Sequence, residues 1–357
     1  MWNNTTATAL LGIEYPIMQG PFGGGLSTAQ LTAAVSNKGG LGGYGAYTLS
    51  GQEIYEVDKQ IKALTHKPYN INLWVSETDA PGGVVTDEQY EQAKALYLPY
   101  FDEVGIPVPP KPGPFKNRFE NQLQAILDIR PKVFSFMFGT LPQDVLEQCR
   151  KLGIKTVGAA TTLDEAIALD ATGVDMIIAS GFESGGHRPS FLDAAEQSTI
   201  GTFVLIQLLK EKIKTPIIAA GGIANGRGVA AALTLGADAA QIGTAFLACE
   251  ESGALPVHRE VLFSEAAKHT MLSRAFTGRL GRGIATRLAK DLLGKEHQVL
   301  PFPLQTTFMA PLRKAALDQQ KHDMVLFWGG QITPVLKHRK ADELMQSLIA
   351  ETGQYVR

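Results

Sequence analysis

The chain carries only two cysteines, Cys149 and Cys249, in 357 residues. That is too few for a disulfide scaffold or a structural zinc site. No apolar stretch reaches the roughly 18 residues that a membrane span requires. No block of one charge sign occurs either, since 33 Lys and Arg stand against 35 Asp and Glu. So even a balance gives no electrostatic reason to bind nucleic acid or an anionic membrane. The opening residues, MWNNTTATALLG, lack the basic n-region of a secretory signal. Also missing are a Walker loop, a G-x-S-x-G elbow and any metal-ligand spacing among the histidines. With 45% hydrophobic residues the chain can still bury a large core. A cytoplasmic protein acting on small molecules is the expectation, with monomer and homodimer both open.

Glycine is abundant, at 37 residues, and it punctuates a repeating pattern. Short apolar runs predict strands at 16–21, 40–45, 69–75, 133–139, 155–160, 176–181, 216–222 and 239–246, with helical periodicity between them. Several helices stop at a glycine: Gly39, Gly153, Gly173 and Gly236. Near-continuous apolar strands between helices predict a parallel sheet covered on both faces. Eight such units favour a closed (β/α)8 TIM barrel. An open doubly wound sheet is the alternative, because periodicity does not show closure. On this reading residues 1–250 form the barrel and residues 76–131 are an insertion after the third strand. The insertion holds a helix-like piece, then five prolines between Pro107 and Pro114 that predict a stiff strap over the barrel top. Residues 251–357 read as a mostly helical extension packed on the barrel, with too little strand signal to add a sheet.

Gly40-Leu41-Gly42-Gly43-Tyr44-Gly45 spells a dinucleotide fingerprint, but a helix precedes it where a strand is needed. Its glycines are better read as a strand that a ligand or neighbouring backbone approaches closely. Gly221-Gly222 ends the seventh predicted strand before a small-residue helix, and Gln241-Ile242-Gly243-Thr244 ends the eighth. Adjacent loops of this kind expose backbone N–H groups suited to a phosphate. His187 follows the sixth strand in Glu183-Ser184-Gly185-Gly186-His187, and the glycines are expected to leave its imidazole mobile over the barrel mouth as a general base. Glu183 reads as a loop-capping or solvent-facing carboxylate. One of Asn70 and Asn72 is expected to face the barrel axis, where an amide can meet a heterocycle edge. Gln19 ends the first strand in the same way.

In order along residues 16–331, the segments PIMQGPFGG, NINLWV, GFESGGHRP, AAGGIANGRG, ALTLGADAAQIGTAFL, SRAFTGRLGRGI and WGGQ resemble the nitronate monooxygenases, formerly called 2-nitropropane dioxygenases. The resemblance implies an FMN-dependent barrel that oxidises alkyl nitronates, such as propionate 3-nitronate, with O2 to a carbonyl compound and nitrite. It implies that Gly222, Gly243 and Thr244 hold the FMN phosphate, that Gln241 lies beside the cofactor, and that Asn72 and Gln19 meet the isoalloxazine. Gly20, Ser180, Gly185 and Gly221 complete the expected cofactor contacts. His187 matches the family's active-site histidine, and Ser273, Gly278 and Arg279 match a motif near the substrate pocket. Ser180 is a departure, because many members carry glutamine there; a bridging water or another side chain would fill the gap. An NAD(P)H-dependent flavin reductase of enoyl thioesters or quinones on the same barrel is the main alternative. A non-catalytic FMN- or phospholigand-binding barrel is a further one. A flavin-free aldolase or isomerase would need a lysine or carboxylate at a strand end, which no predicted strand end supplies.

Overall fold

A computed structural model describes residues 1–75, 84–115 and 117–356. Eleven strands occur among them: β1 (Ile17–Gln19), β2 (Gly42–Gly45), β3 (Tyr69–Trp74), β4 (Val133–Met137), β5 (Lys155–Ala160), β6 (Met176–Ser180), β7 (Gly186–His187), β8 (Ile217–Ala220), β9 (Ala239–Ile242), β10 (Thr270–Ser273) and β11 (Gly281–Ile284). Eight pair in parallel in the order β1-β9-β8-β6-β5-β4-β3-β2. A parallel bridge between Met18 and Leu41 joins β1 to the residue before β2. The Leu41 N–H donates to the Ile17 carbonyl, and the Gln19 N–H to the Leu41 carbonyl, both at 2.9 Å. The sheet is therefore a closed (β/α)8 barrel, which settles the choice against the open sheet.

Strand side chains alternate between two apolar layers, as the pleat requires. Met18, Val157, Met176, Ile178, Ile218 and Ala239 fill the barrel interior, and the helix Thr6–Leu11 adds Ala7 and Leu11 to the same cluster. Ile71, Phe134, Ile177, Ile217 and Ala240 face the surrounding helices. Gly153, Gly173 and Gly236 follow their helices with φ of 75°, 77° and 105°, the left-handed stop expected of them. The glycines of β2 serve close packing: a Cβ on Gly42 would overlap the Thr32 carbonyl, and one on Gly43 would crowd the Gln19 carbonyl.

Several expectations need correction. Helix Phe119–Ile129 packs on helix Gly51–Leu64 and on β3, so it belongs to the barrel and the insertion ends before it, short of residue 131. Helix Asp87–Glu103 instead joins the C-terminal segment in a second core, where Ala93, Tyr97 and Phe101 meet Phe308, Met309 and Leu312. Ile106 and Val108 of the proline-rich stretch pack on that second core, and the Tyr90 hydroxyl donates to the Pro109 carbonyl at 2.8 Å. The strap thus lies beside the barrel and nears its mouth only at the end, through Phe115, Asn117 and Arg118. Residues 76–83 of the expected insertion lie outside the described residues. The C-terminal segment is largely helical, yet it does add a sheet, the antiparallel set β10-β11-β7. Its last helix, Ala341–Tyr355, returns to the barrel and packs Leu344, Met345 and Leu348 into the main core.

Gly42→Ala is expected to cost at least about 2 kcal/mol, because backbone cannot yield as a side chain can. Gly153→Ala meets open space and carries only the left-handed penalty of about 1 kcal/mol. Chemical denaturation of both variants checks this, and equal losses would show that helix 29–37 can shift away from β2.

Candidate active site

The carboxyl ends of the barrel strands open into one cavity of about 970 Å3, at the upper end of the roughly 300–1,000 Å3 usual for small-molecule sites. Gly20, Asn72, Ser180, Gly185, His187, Gly221, Gly222, Gln241, Gly243 and Thr244 all line it. Gln19 does not. Its carboxamide is spent on the backbone, accepting from the Gly43 N–H at 2.8 Å and donating to the Gly20 carbonyl.

Asn70 and Asn72 both point into the barrel, since residues two apart on a strand share a face. Each donates to the Ser135 hydroxyl, at 2.8 and 2.9 Å. Asn70 is fully paired, because its carbonyl also accepts from the Ser135 N–H at 3.0 Å. The buried Oδ1 of Asn72 and Oε1 of Gln241 find no donor among the described residues. A buried acceptor without a donor is costly. Two such carbonyls lining one cavity therefore call for a ligand that brings N–H or O–H groups.

The glycine loops after β8 and β9 sit at one end of the cavity. Gly221 and Gly222 have φ of 109° and 69°, and a Cβ on Gly221 would collide with the Ser184 and Thr202 hydroxyls. The helix after them, Gly226–Thr234, does not offer its N-terminus: Asn225 accepts from Gly228 N–H at 2.9 Å, and Glu351 of the last helix accepts from Gly226 N–H at 3.0 Å. The loop backbone itself is what faces the cavity. Glu183 is the capping carboxylate, accepting from the Thr202 N–H and hydroxyl, both at 2.9 Å. Ser180 lies 3.3 Å from the Ser184 hydroxyl, so Ser184 stands in the space beside the short side chain.

His187 is not mobile. Its backbone is part of β7, with Gly281 opposite it and the Arg188 N–H donating to Leu280 at 2.9 Å. Its ring sits among Trp328, Trp74 and Phe302, with centroids 4.8, 5.2 and 5.6 Å away, all in edge-on contact. Burial there lowers the imidazole pKa to about 3, so it is neutral at physiological pH. Its Nε2 lies 2.9 Å from the Thr277 hydroxyl. Tyr47 stacks on Trp74 at 3.8 Å and 12°, completing an aromatic wall. Beyond it, the Arg279 guanidinium lies 3.9 Å from the Phe138 ring centroid and 5.1 Å from that of Phe302. Burial lowers Arg279 to about 10, which leaves it cationic.

Of the motif Ser273, Gly278 and Arg279, none lines the cavity, whereas Thr277 within it does. The sequence reading missed Thr277, Tyr47, Trp74, Phe302, Trp328 and Ser184. Trp74 and Trp328 stand in the segments NINLWV and WGGQ, so aromatic residues inside the glycine-rich motifs were the available signal. Beyond its tryptophan ring, the second of these segments docks through its backbone: Gly330 N–H donates to the Thr244 hydroxyl at 2.9 Å and Gln331 N–H to the Glu183 carbonyl at 3.0 Å. His258, lowered to about 4 by burial, bonds the Trp328 carbonyl at 2.8 Å and steadies the same segment.

Known proteins resemble the chain over nearly its whole length. The family model for nitronate monooxygenase matches residues 4–351. A probable nitronate monooxygenase of Staphylococcus haemolyticus (strain JCSC1435) is 33% identical over 353 residues, 98% of each chain. A probable nitronate monooxygenase of Staphylococcus aureus (strain N315) is also 33% identical, over 99% of each chain. Among solved structures, nitroalkane oxidase from Streptomyces ansochromogenes superposes with a TM-score of 0.89 at 32% identity over 98% of each chain. FabK from Thermotoga maritima gives 0.74 at 25% identity, over 98% of this chain and 96% of that one. By a match over nearly its whole length, the chain belongs to the nitronate monooxygenase family of oxidoreductases.

Proposed function

We propose that the cavity binds FMN and that the chain oxidises alkyl nitronates, propionate 3-nitronate among them, with O2 to a carbonyl compound and nitrite. One observation carries the reading: a neutral imidazole in an aromatic box shares a cavity with two glycine loops and two unpaired amide carbonyls. The donor set fits FMN. Backbone N–H groups at Gly222, Gly243 and Thr244 suit a phosphate. The carbonyls of Asn72 and Gln241 suit the N–H edge of the ring system, and Ser180 and Ser184 offer hydroxyls to the ribityl chain. Gly20, Gly185 and Gly221 bring backbone against it. Bound there, FMN would supply the electron transfer between nitronate and O2.

The chain's own part is positioning and one proton. A neutral nitroalkane must lose a proton from its α-carbon: the C–H bond breaks, the electron pair stays with the nitro group as nitronate, and His187 takes the proton. That step requires an unprotonated base, and burial keeps the imidazole unprotonated. A nitronate arrives already ionised and needs only to be held. Tyr47, Trp74, Phe302 and Trp328 keep water from the reacting end, which strengthens every polar contact made inside. The likeness to FabK supports one other reading, a reductase on the same barrel.

Anaerobic addition of propionate 3-nitronate to the FMN-loaded protein is expected to change its visible spectrum, and admitting O2 to release nitrite. A flavin that ignores the nitronate but bleaches with NADPH would transfer the chain to the reductase reading. His187→Asn is expected to retain FMN and to lose roughly a hundredfold or more on neutral nitroethane, with a smaller loss on preformed ethyl nitronate. With the imidazole pKa at about 3, protonation lies far below the usual range, so the wild-type kcat/KM for nitroethane stays level as pH falls from about 7 to 5. A fall centred near 6.5 would show a solvated imidazole. Gly222→Asp is expected to expel FMN while Gly222→Asn, which also tolerates φ of 69°, keeps more of it. Equal flavin content in the two would move the phosphate elsewhere.

A further inference from the structure

We infer that Thr277 fixes the tautomer of His187 and makes Nδ1 the nitrogen that takes the proton from a neutral nitroalkane; this rests on the base role proposed above for His187. The direction of three hydrogen bonds leads to it. The Thr277 hydroxyl lies 3.1 Å from the Arg279 carbonyl oxygen, and a carbonyl can only accept. We assign the one hydroxyl proton to this carbonyl, since Nε2 can serve as either donor or acceptor whereas the carbonyl only accepts. Oγ1 also accepts from the Arg279 backbone N–H at 3.3 Å. The remaining lone pair lies 2.9 Å from His187 Nε2. With the hydroxyl proton spent, Nε2 must carry a hydrogen and donate it, and in a neutral imidazole Nδ1 is then a bare acceptor. Nδ1 makes no hydrogen bond among the described residues, on a ring that lines the cavity.

The arrangement is rigid on both sides. Gly281 pairs with His187 in one antiparallel register, and Thr277 sits in the turn that leads into β11. When the α-carbon proton moves to Nδ1, a new N–H bond forms there and the substrate keeps the electron pair. The ring becomes imidazolium with Nε2–H still donating to Thr277, whose own proton points away toward the Arg279 carbonyl. The hydroxyl dipole is thus already turned to favour the charge that develops, with no reorganisation during the step. Thr277 is a positioning residue: it acts through His187 and need not touch the substrate.

Full-length protein labelled with 15N-histidine and saturated with FMN reports the tautomer directly, the His187 signals being assigned by their absence in His187→Asn. An Nε2–H ring with a pyridine-like Nδ1 is expected at neutral pH. Thr277→Val keeps the shape and removes the hydroxyl; it is expected to mix the tautomers and lower kcat/KM on nitroethane roughly ten- to a hundredfold, with less than about threefold on ethyl nitronate. Thr277→Ser is expected to restore both readouts. An Nδ1–H tautomer in the unsubstituted protein overturns the inference and leaves the base role standing. Equal losses on both substrates in Thr277→Val, unrescued by serine, overturn it as well. Wild-type nitroethane turnover in His187→Asn would instead bring down the base role and this inference with it.

Discussion

Gly281 faces His187 and Arg282 faces Gly186 across a two-residue antiparallel pair, and the geometry of the site hangs on that pairing. The two glycines directly before the imidazole offer no side chain to anchor it. Backbone pairing with β11 supplies the anchor instead. The same β11 carries Thr277 into reach just upstream and holds Trp328 through a bridge at Gly283. The hydrogen-bond partner of the imidazole and one of its ring neighbours therefore come from the C-terminal segment, and the barrel contributes the loops and the amides. Neither part makes the site alone.

Charge around the cavity is distributed with little waste. Arg188 is fully buried, donating to the Gly181 and Ser198 carbonyls, and burial lowers it to about 10. Arg282 donates to the Phe182 carbonyl and lies over the Phe182 ring. Glu183 sits near both and offsets part of their burial cost while it caps helix Thr202–Lys212. Arg279, stacked on Phe138 and Phe302, remains cationic on the far side of the aromatic wall.

Much of the barrel was legible because parallel strands buried on both faces leave continuous apolar runs such as MIIAS and PIIAA, and because left-handed helix stops select glycine. Closure was not legible. It rests on a bridge between Met18 of the three-residue β1 and Leu41 just before the glycine-rich β2, too little to carry a pairing signal. The glycine loops and His187 could be placed from local spelling. The aromatic wall could not, since Tyr47, Trp74, Phe302 and Trp328 are separated by up to a few hundred residues and only the fold brings them together. Strands β10 and β11 (TMLS and GRGI) lack the alternation that marks a strand, and the two-residue β7 that pairs with β11 is too short to leave a pattern. Gln19 looked like a ligand-facing amide at a strand end, yet the tight approach of β1 to the glycines of β2 consumes both its polar atoms.

The second core is shared between two stretches of chain far apart in sequence. The Tyr97 hydroxyl donates to the Ala275 carbonyl, Gln319 to the Val104 carbonyl at 2.7 Å, and Arg287 pairs with Glu103 at 2.9 Å. Helix Asp87–Glu103 thus completes an apolar interior to which the C-terminal segment gives the larger part. In terms of recombination they are a single unit: a chimera that exchanges one without the other inherits an incomplete core, and with it a mismatched face beneath the segment that clamps the histidine loop.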